Sequence, residues 1–289
     1  MKKLTALLLG TAMVLSLAAC GGSASSSEAA SSEAASSSEA ASSEATSSEA
    51  SAETASAELT TVTPGTLTMS TNAAFPPYEM TADDGSFEGI DIEVAQAIAD
   101  KLGLTLQVDD MDFDAALLAV QNGKSDMVMA GVTVTEERQT VMDFSNTYAN
   151  GIQVVIVPED SDIASIDDLT GKAIGVQRGT TGDLYCSDTV ENGGFGAENV
   201  TPYPDGLTAV QALNNGQVDC VVIDNAPAQE FVEANPGLKI LDTEYANEEY
   251  AIGVAKGNTA MLDAINGALE ELKADGTLQS IVDKYITAE

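Results

Sequence analysis

Arg138 and Asp224 are the two side chains whose type and placement give this chain its clearest chemistry. Arg138 falls in the first turn of a helix that Thr135 would cap, Glu136-Glu137-Arg138, where a cation opposes the positive end of the helix dipole. The chain's other arginine is Arg178, so a guanidinium in an unfavourable place hints at a task beyond solubility. Its planar fork of donors suits a two-pronged grip on a carboxylate. A surface pair with Glu137 or Asp143 is the plainer alternative. Asp224 ends the apolar run Val221-Val222-Ile223 and puts a carboxylate at a strand terminus, where an ammonium group is its natural partner. Read alone, it could equally cap the helix that begins at Ala226-Pro227. Taken as a pair, the two charges fit a ligand that carries both a carboxylate and an ammonium.

Other groups fall around them. Ala173-Ile174-Gly175-Val176 reads as a strand running into Gln177-Arg178-Gly179-Thr180-Thr181-Gly182. Backbone N–H groups and the hydroxyls of Thr180 and Thr181 would then converge at a helix N-terminus, which favours an anion. The loop lacks the Gly-Lys-Ser/Thr ending of a Walker loop and the Gly-x-Gly-x-x-Gly spacing of a dinucleotide site, so a small carboxylate fits better than a phosphate. Asn72 follows the first strand, and Phe75-Pro76-Pro77-Tyr78 makes a rigid aromatic corner. Phe75 and Phe113 are either core residues, the default for phenylalanine, or a sandwich for the apolar part of a ligand; the sandwich is the reading adopted. With no histidine and only three cysteines, none close together, metal sites and histidine-dependent triads are not expected. No cofactor is expected either.

These side chains need strands and helices to hold them. Thr66-Leu67-Thr68-Met69-Ser70 alternates as a strand does, and residues 89–102 carry Ile90, Val94, Ile98 and Leu102 at helical spacing. Gly103 ends that helix and 104–108 is the next strand. Helix and strand signals alternate to the end, which points to an α/β fold with mostly parallel sheets, whose ligands sit beyond the carboxyl ends of strands. One unit occurs twice: an apolar-faced helix closed by Asn122-Gly123, then Asp126 and a strand, and again a helix closed by Asn215-Gly216, then Asp219 and a strand. Two lobes of similar build are expected.

The N-terminal part has no such alternation. Lys2 and Lys3 precede an apolar stretch over 4–17 and the small residues before Cys20, the order of an export signal and too short for a membrane span. Leu17-Ala18-Ala19-Cys20 resembles the bacterial lipobox, which implies that Cys20 becomes a lipidated N-terminus; two acyl chains anchor stably where one is marginal. Residues 23–58 are nearly all Ser, Ala, Glu and Thr, with nothing to bury, and read as a disordered tether. The formal charge of −35 makes nucleic acid and anionic lipid poor partners. Export permits a disulfide between Cys186 and Cys220, and a pair of buried thiols is the alternative.

Gly89-Ile90-Asp91-Ile92-Glu93-Val94-Ala95-Gln96-Ala97-Ile98-Ala99 resembles the signature of family 3 bacterial solute-binding proteins, which serve polar amino acid ABC transporters. The likeness runs from about Gly65 to Tyr285 through Phe113-Asp114, Ala130-Gly131-Val132-Thr133, Thr135-Glu136-Glu137-Arg138, Asp143-Phe144-Ser145, Gly179-Thr180 and Ile223-Asp224. It implies a two-lobed, type II periplasmic-binding-protein-like α/β fold with two crossover hinge strands, at 151–157 and 250–254. The divisions are then a lipoprotein signal (1–19), a lipidated Cys and tether (20–58), a first lobe (59–152 and 248–289) and a second lobe (153–247). The resemblance also implies that Arg138, Thr133 and Thr180 hold an α-carboxylate, while Asp224 and the Gly131 carbonyl hold an α-ammonium. Asn72 stands where binders of basic amino acids and glutamine usually carry Asp, and Gln177 and Ile223 where glutamine binders have Lys and His, so a neutral polar amino acid is favoured, with cystine and acidic ligands left open.

The expected protein is a monomeric, lipid-anchored carrier on the extracytoplasmic face, not an enzyme, whose partners are a free amino acid and an ABC transporter permease. An extracytoplasmic dehydratase on the same fold is the alternative, and it would need a general acid over the substrate. Replacing Cys20 with Ser is expected to move the protein from the membrane fraction to the soluble fraction. Unchanged retention after ultracentrifugation would overturn the anchor.

Overall fold

The computed structural model describes residues 59–286; the signal, Cys20 and the tether lie outside the described residues. Thr66–Thr71 is an interior strand of the first sheet. It pairs in parallel with Thr105–Asp110 on one side and with Met127–Val128 on the other, and every residue from Leu67 to Thr71 is buried. The alternation in its sequence therefore marks a strand covered on both faces. Of its buried hydroxyls, that of Ser70 donates to the Ala116 carbonyl at 2.9 Å, on the helix Phe113–Gln121, whereas those of Thr68 and Thr71 have no protein partner. Gly253–Ala255 and Met142–Phe144 complete this sheet.

The helix Ile90–Leu102 buries Ile90, Val94 and Ile98 and stops at Gly103, which takes the left-handed conformation (φ 68°) that a glycine adopts without steric cost. At its other end Gly89 has φ 127° and passes so close to the Tyr78 carbonyl that a Cβ would collide with it. Helices Thr259–Ala274 and Thr277–Tyr285 pack back on Ile90–Leu102, with Lys101 bridging to Glu271 at 3.1 Å and Lys284 paired with Glu93.

The second sheet has the order Val200–Tyr203, Ile174–Gln177, Cys220–Asp224, Ala149–Pro158, Leu238–Ile240, with Ala246–Tyr250 also on Ala149–Pro158. The twice-used unit builds both sheets alike. Gly123 (φ 65°) and Gly216 (φ 67°) make the left-handed exits. The aspartate that follows clamps the neighbouring strand: Asp126 accepts the Thr68 N–H at 2.8 Å and Asp219 accepts the Ala173 N–H at 2.8 Å.

Both sheets are parallel where these units form them. They are mixed rather than mostly parallel as a whole, because the long strand Ala149–Pro158 and the strand Gly253–Ala255 enter antiparallel. Those strands arrive from the opposite sheet and so run against the local direction. The chain passes between the sheets at 145–148 and again at 251–252, between the strands that precede and follow each passage. The segment 151–157, expected as a hinge, lies inside the second sheet instead. The two passages are tied to each other: the Ser145 N–H donates to the Ile252 carbonyl at 2.9 Å, the Ile252 N–H to Ser145 Oγ at 2.9 Å, and the Tyr148 N–H to the Tyr250 carbonyl at 2.9 Å.

Cys186 and Cys220 are free and buried. Desolvation pushes both thiols up, Cys220 to about 12, which leaves them unreactive.

Tyr250 is wholly buried, and its ring fills the space beside Gly151 that a Cβ would need. Gly151→Ala is therefore expected to destabilise the fold by about 1–3 kcal/mol, the usual cost of overpacking a closed site, read as a lower melting temperature. An unchanged melting temperature would mean that Tyr250 can move aside.

Candidate functional site

A narrow cavity lies between the two sheets. Each of the ten cleft residues selected from the sequence lines it, joined by Glu79 and Ala130. Distant stretches of chain meet there because the strand ends of both sheets point at the same gap.

Arg138 is 6 % exposed. Thr135 caps its helix, its hydroxyl oxygen accepting the Arg138 N–H at 3.1 Å, and the side chain turns inward over the Phe113 ring, 5.3 Å from Cζ to the ring centre. Nη1 donates to the Thr133 carbonyl at 2.8 Å and Nη2 to the Gly179 carbonyl at 3.1 Å. The guanidinium thus joins a loop of the first sheet to a loop of the second. Burial lowers its pKa, and the negative charges of Glu248 and Asp224 and the phenol of Tyr185 oppose that shift. Neither Glu137 nor Asp143 pairs with it; Asp143 binds Lys256 instead at 2.7 Å.

Thr180 caps the helix Thr181–Ser187 by accepting the Asp183 N–H at 3.4 Å, and its hydroxyl donates to the Gln177 carbonyl at 2.8 Å. Gln177 and Asn72 meet across the cavity: Gln177 Nε2 donates to Asn72 Oδ1 at 2.8 Å, and Asn72 Nδ2 donates to the Met111 carbonyl at 2.9 Å. Gln177 Oε1 is buried with no protein partner. Phe75 and Phe113 belong to the hydrophobic cores and line the cavity at once. Gly131 (φ 53°) lies against the Phe75 ring, where a Cβ would come within 2.8 Å of it.

Asp224 occupies the N-cap position of Asn225–Ala234 but makes no cap hydrogen bond. Its carboxylate turns the other way and accepts the Tyr250 hydroxyl. Burial, and then the charge of Glu248, push it up to about 7. Asp91 accepts the Gly131 N–H at 3.1 Å and the Tyr148 hydroxyl at 2.7 Å, and burial pushes it up to about 6. Glu79 is fully buried with neither oxygen partnered; burial and the charge of Asp91 hold it well above the usual carboxylate range. Three acids that resist ionisation and one buried guanidinium therefore surround or adjoin the cavity.

Sequence reading missed Glu79 and Ala130 in the lining, and Glu248, Gln153 and Tyr250 behind it. Ala130 adjoins the Gly131 motif and Glu79 adjoins the aromatic corner, which is the only local signal either carries. The others sit on the crossover strands, and their sequence neighbours say nothing of the cleft.

Residues 67–288 match the model of the family described as bacterial extracellular solute-binding proteins, family 3. The chain belongs to this family. It is 31% identical over 228 residues to the L-cystine-binding protein TcyJ of Escherichia coli (strain K12), covering 78% of this chain and 84% of that protein. Among solved structures, an ancestral arginine-binding protein bound to glutamine superposes with a TM-score of 0.72 at 41% identity, covering 78% of this chain and all of that one. An ancestral arginine-binding protein bound to arginine does so with a TM-score of 0.72 at 42% identity, covering 77% and 98%. The fold is the two-lobed one expected from the sequence, with helices flanking each sheet.

The raised acids of this family 3 member set the direction of its pH dependence. In the folded chain Glu79, Asp91 and Asp224 hold protons that an unfolded chain releases near pH 4. Folding thus takes up protons between about pH 4 and 7, and stability falls as pH rises through that window. Surface carboxylates with lowered pKa, such as Asp143 and Asp168, act in the opposite sense only below it. The melting temperature at about pH 5 is expected to exceed that at about pH 8, and Asp224→Asn should flatten the difference. A melting temperature that rises over the same interval would overturn the protonated assignments.

Proposed function

We propose that this protein captures a free, neutral polar amino acid between its lobes and delivers it to an ABC importer. It would act as a monomer anchored through lipid on Cys20 to the extracytoplasmic face of the membrane. The observation that carries the reading is the pair of opposite grips in one buried cavity, Arg138 for a carboxylate and Asp224 for an ammonium. Thr133, Thr180 and Gly131 line the same cavity, together with Phe75 and Phe113. The L-cystine-binding and arginine-binding relatives take ligands of this same zwitterionic class, which supports carrying the role across.

The neutral preference rests on Asn72 and Gln177, two uncharged amides of which Gln177 Oε1 awaits a donor, and on a Glu79 held neutral by burial. Lobe boundaries are proposed at the passages 145–148 and 251–252 in place of 152/153 and 247/248, which would cut the second-sheet strands Ala149–Pro158 and Ala246–Tyr250. Glu79 also favours a second reading. A cationic side chain would ionise it and supply its missing partner, so a ligand such as arginine is the competitor.

A thermal-shift screen over all free amino acids and cystine separates these, because a ligand that binds only the folded state raises its melting temperature. A shift with glutamine-like ligands and none with arginine supports the neutral reading, and the reverse order supports the cationic one. Arg138→Ala is expected to weaken the winning ligand by about 2–5 kcal/mol, as removal of one partner of a buried charged contact does. Wild-type affinity in that variant would remove Arg138 from the site. Recovery of a chemically altered ligand by mass spectrometry would favour the dehydratase alternative, with Glu79 as its acid.

A further inference from the structure

Behind the cavity wall stands a carboxylate outside the lining. Glu248 lies on Ala246–Tyr250 and is 6 % exposed. Its Oε2 accepts two donors, the Thr133 hydroxyl at 2.9 Å and Gln153 Nε2 at 3.1 Å. Its Oε1 is buried and without a partner. Thr133 comes from the first sheet's loop, Gln153 from the long strand of the second, and Glu248 from the strand that returns the chain, so one carboxylate ties together three segments that meet at the crossover.

A hydroxyl has one proton to give. While Thr133 gives it to Glu248, it faces any other carboxylate with lone pairs only. Glu248 therefore decides which way the hydroxyl points, and a ligand carboxylate must draw that proton away. Asp224 lies directly across from Gln153 on the neighbouring strand, and Gln153 is the residue whose amide Glu248 holds, so the same negative charge acts on both grips. It favours the cation at Arg138 and disfavours the anion at Asp224. The other groups around Asp224 are Tyr250 from the same strand as Glu248, Tyr78 and Glu79 from the segment before the helix Ile90–Leu102, Arg138 from its own helix, and Tyr185 from Thr181–Ser187. Of these, Arg138 is the single cation.

We propose that Glu248 is a positioning residue for both grips: from behind the cleft it orients the Thr133 hydroxyl, and its charge couples the ionisation of Asp224 to the guanidinium of Arg138. This rests on the proposed amino-acid site but is tested apart from it. Ligand binding then has an acid limb, because the ammonium needs an ionised Asp224, and Glu248 sets where that limb falls. Neutralising Glu248 should move the limb to lower pH. The sign follows from removing a like charge next to a carboxyl.

The test follows the carboxyl carbon of Asp224 by NMR in aspartate-labelled protein across the pH range, assigned with Asp224→Asn. In Glu248→Gln, which keeps an acceptor for Thr133 without the charge, the Asp224 midpoint is expected to fall by about one pH unit or more, the size that marks coupled sites. Glu248→Met serves as a second neutral variant, and Glu248→Asp, which keeps a charge, should restore most of the wild-type midpoint. An unmoved midpoint in a folded neutral variant overturns the proposal, as does, should neither variant fold, a wild-type Asp224 midpoint near the ordinary aspartate value of about 4. Calorimetry with L-glutamine and L-arginine against pH then asks whether the acid limb shifts with Asp224. If neither binds, the functional reading fails while the Asp224 titration still decides the coupling.

Discussion

A guanidinium buried from water must have its donors met, and in this chain that requirement organises the cleft. Arg138 cannot leave its positive charge inside the protein unless carbonyls and negative charge surround it. The Thr133 carbonyl comes from the loop just before its own helix and the Gly179 carbonyl from a loop of the other sheet. Meeting both fixes the distance between the two loops. The Phe113 ring covers the guanidinium face, and Glu248 is the foremost source of compensating negative charge. The cavity is what remains between these obligations.

The same logic explains why so many acids near the cleft are neutral or strained in charge. Net negative charge is abundant in this chain, yet cations inside are few, so an interior carboxyl finds protons and hydroxyls more readily than counter-ions. Tyr148 and Tyr250 donate to Asp91 and Asp224, and Glu79 keeps its own proton. Such groups specify where the crossover strands sit rather than adding much net stability, since each hydrogen bond is set against desolvation. They are also the groups that a charged ligand would most disturb, which ties the electrostatics of the cleft to its occupancy.

The sheets serve this arrangement through repetition. The helix, Asn-Gly exit and aspartate clamp recur in each lobe, so the ends of the two central strands arrive in comparable positions and face one another. Between them the crossing segments are joined by hydrogen bonds from Ser145 and Tyr148. Tyr250 packs closely against Gly151 within the second sheet, and the short passages at 145–148 and 251–252 lie outside the strands of both sheets.

Local sequence determined a good deal. Periodicity and glycine placement marked the helices and their ends, because both act over a few residues, and the dipole-opposing position of Arg138 and the strand-end position of Asp224 singled out the charged pair. Even the amide at position 72 and the aromatic corner were legible as cleft residues through their motifs. What tertiary structure alone decided is which groups share protons and donors across long stretches of chain. That Asp224 faces Tyr250 and not its own helix end, that Asn72 meets Gln177, that Glu79 is entombed beside Asp91 and that Glu248 holds Thr133 all depend on contacts between residues far apart in the chain. The mixed strand directions and the true crossing points have the same origin, since a strand's neighbour is chosen by the fold. Charge and hydrogen bonding respond to distance in space, and sequence records that distance only where the chain neighbours itself.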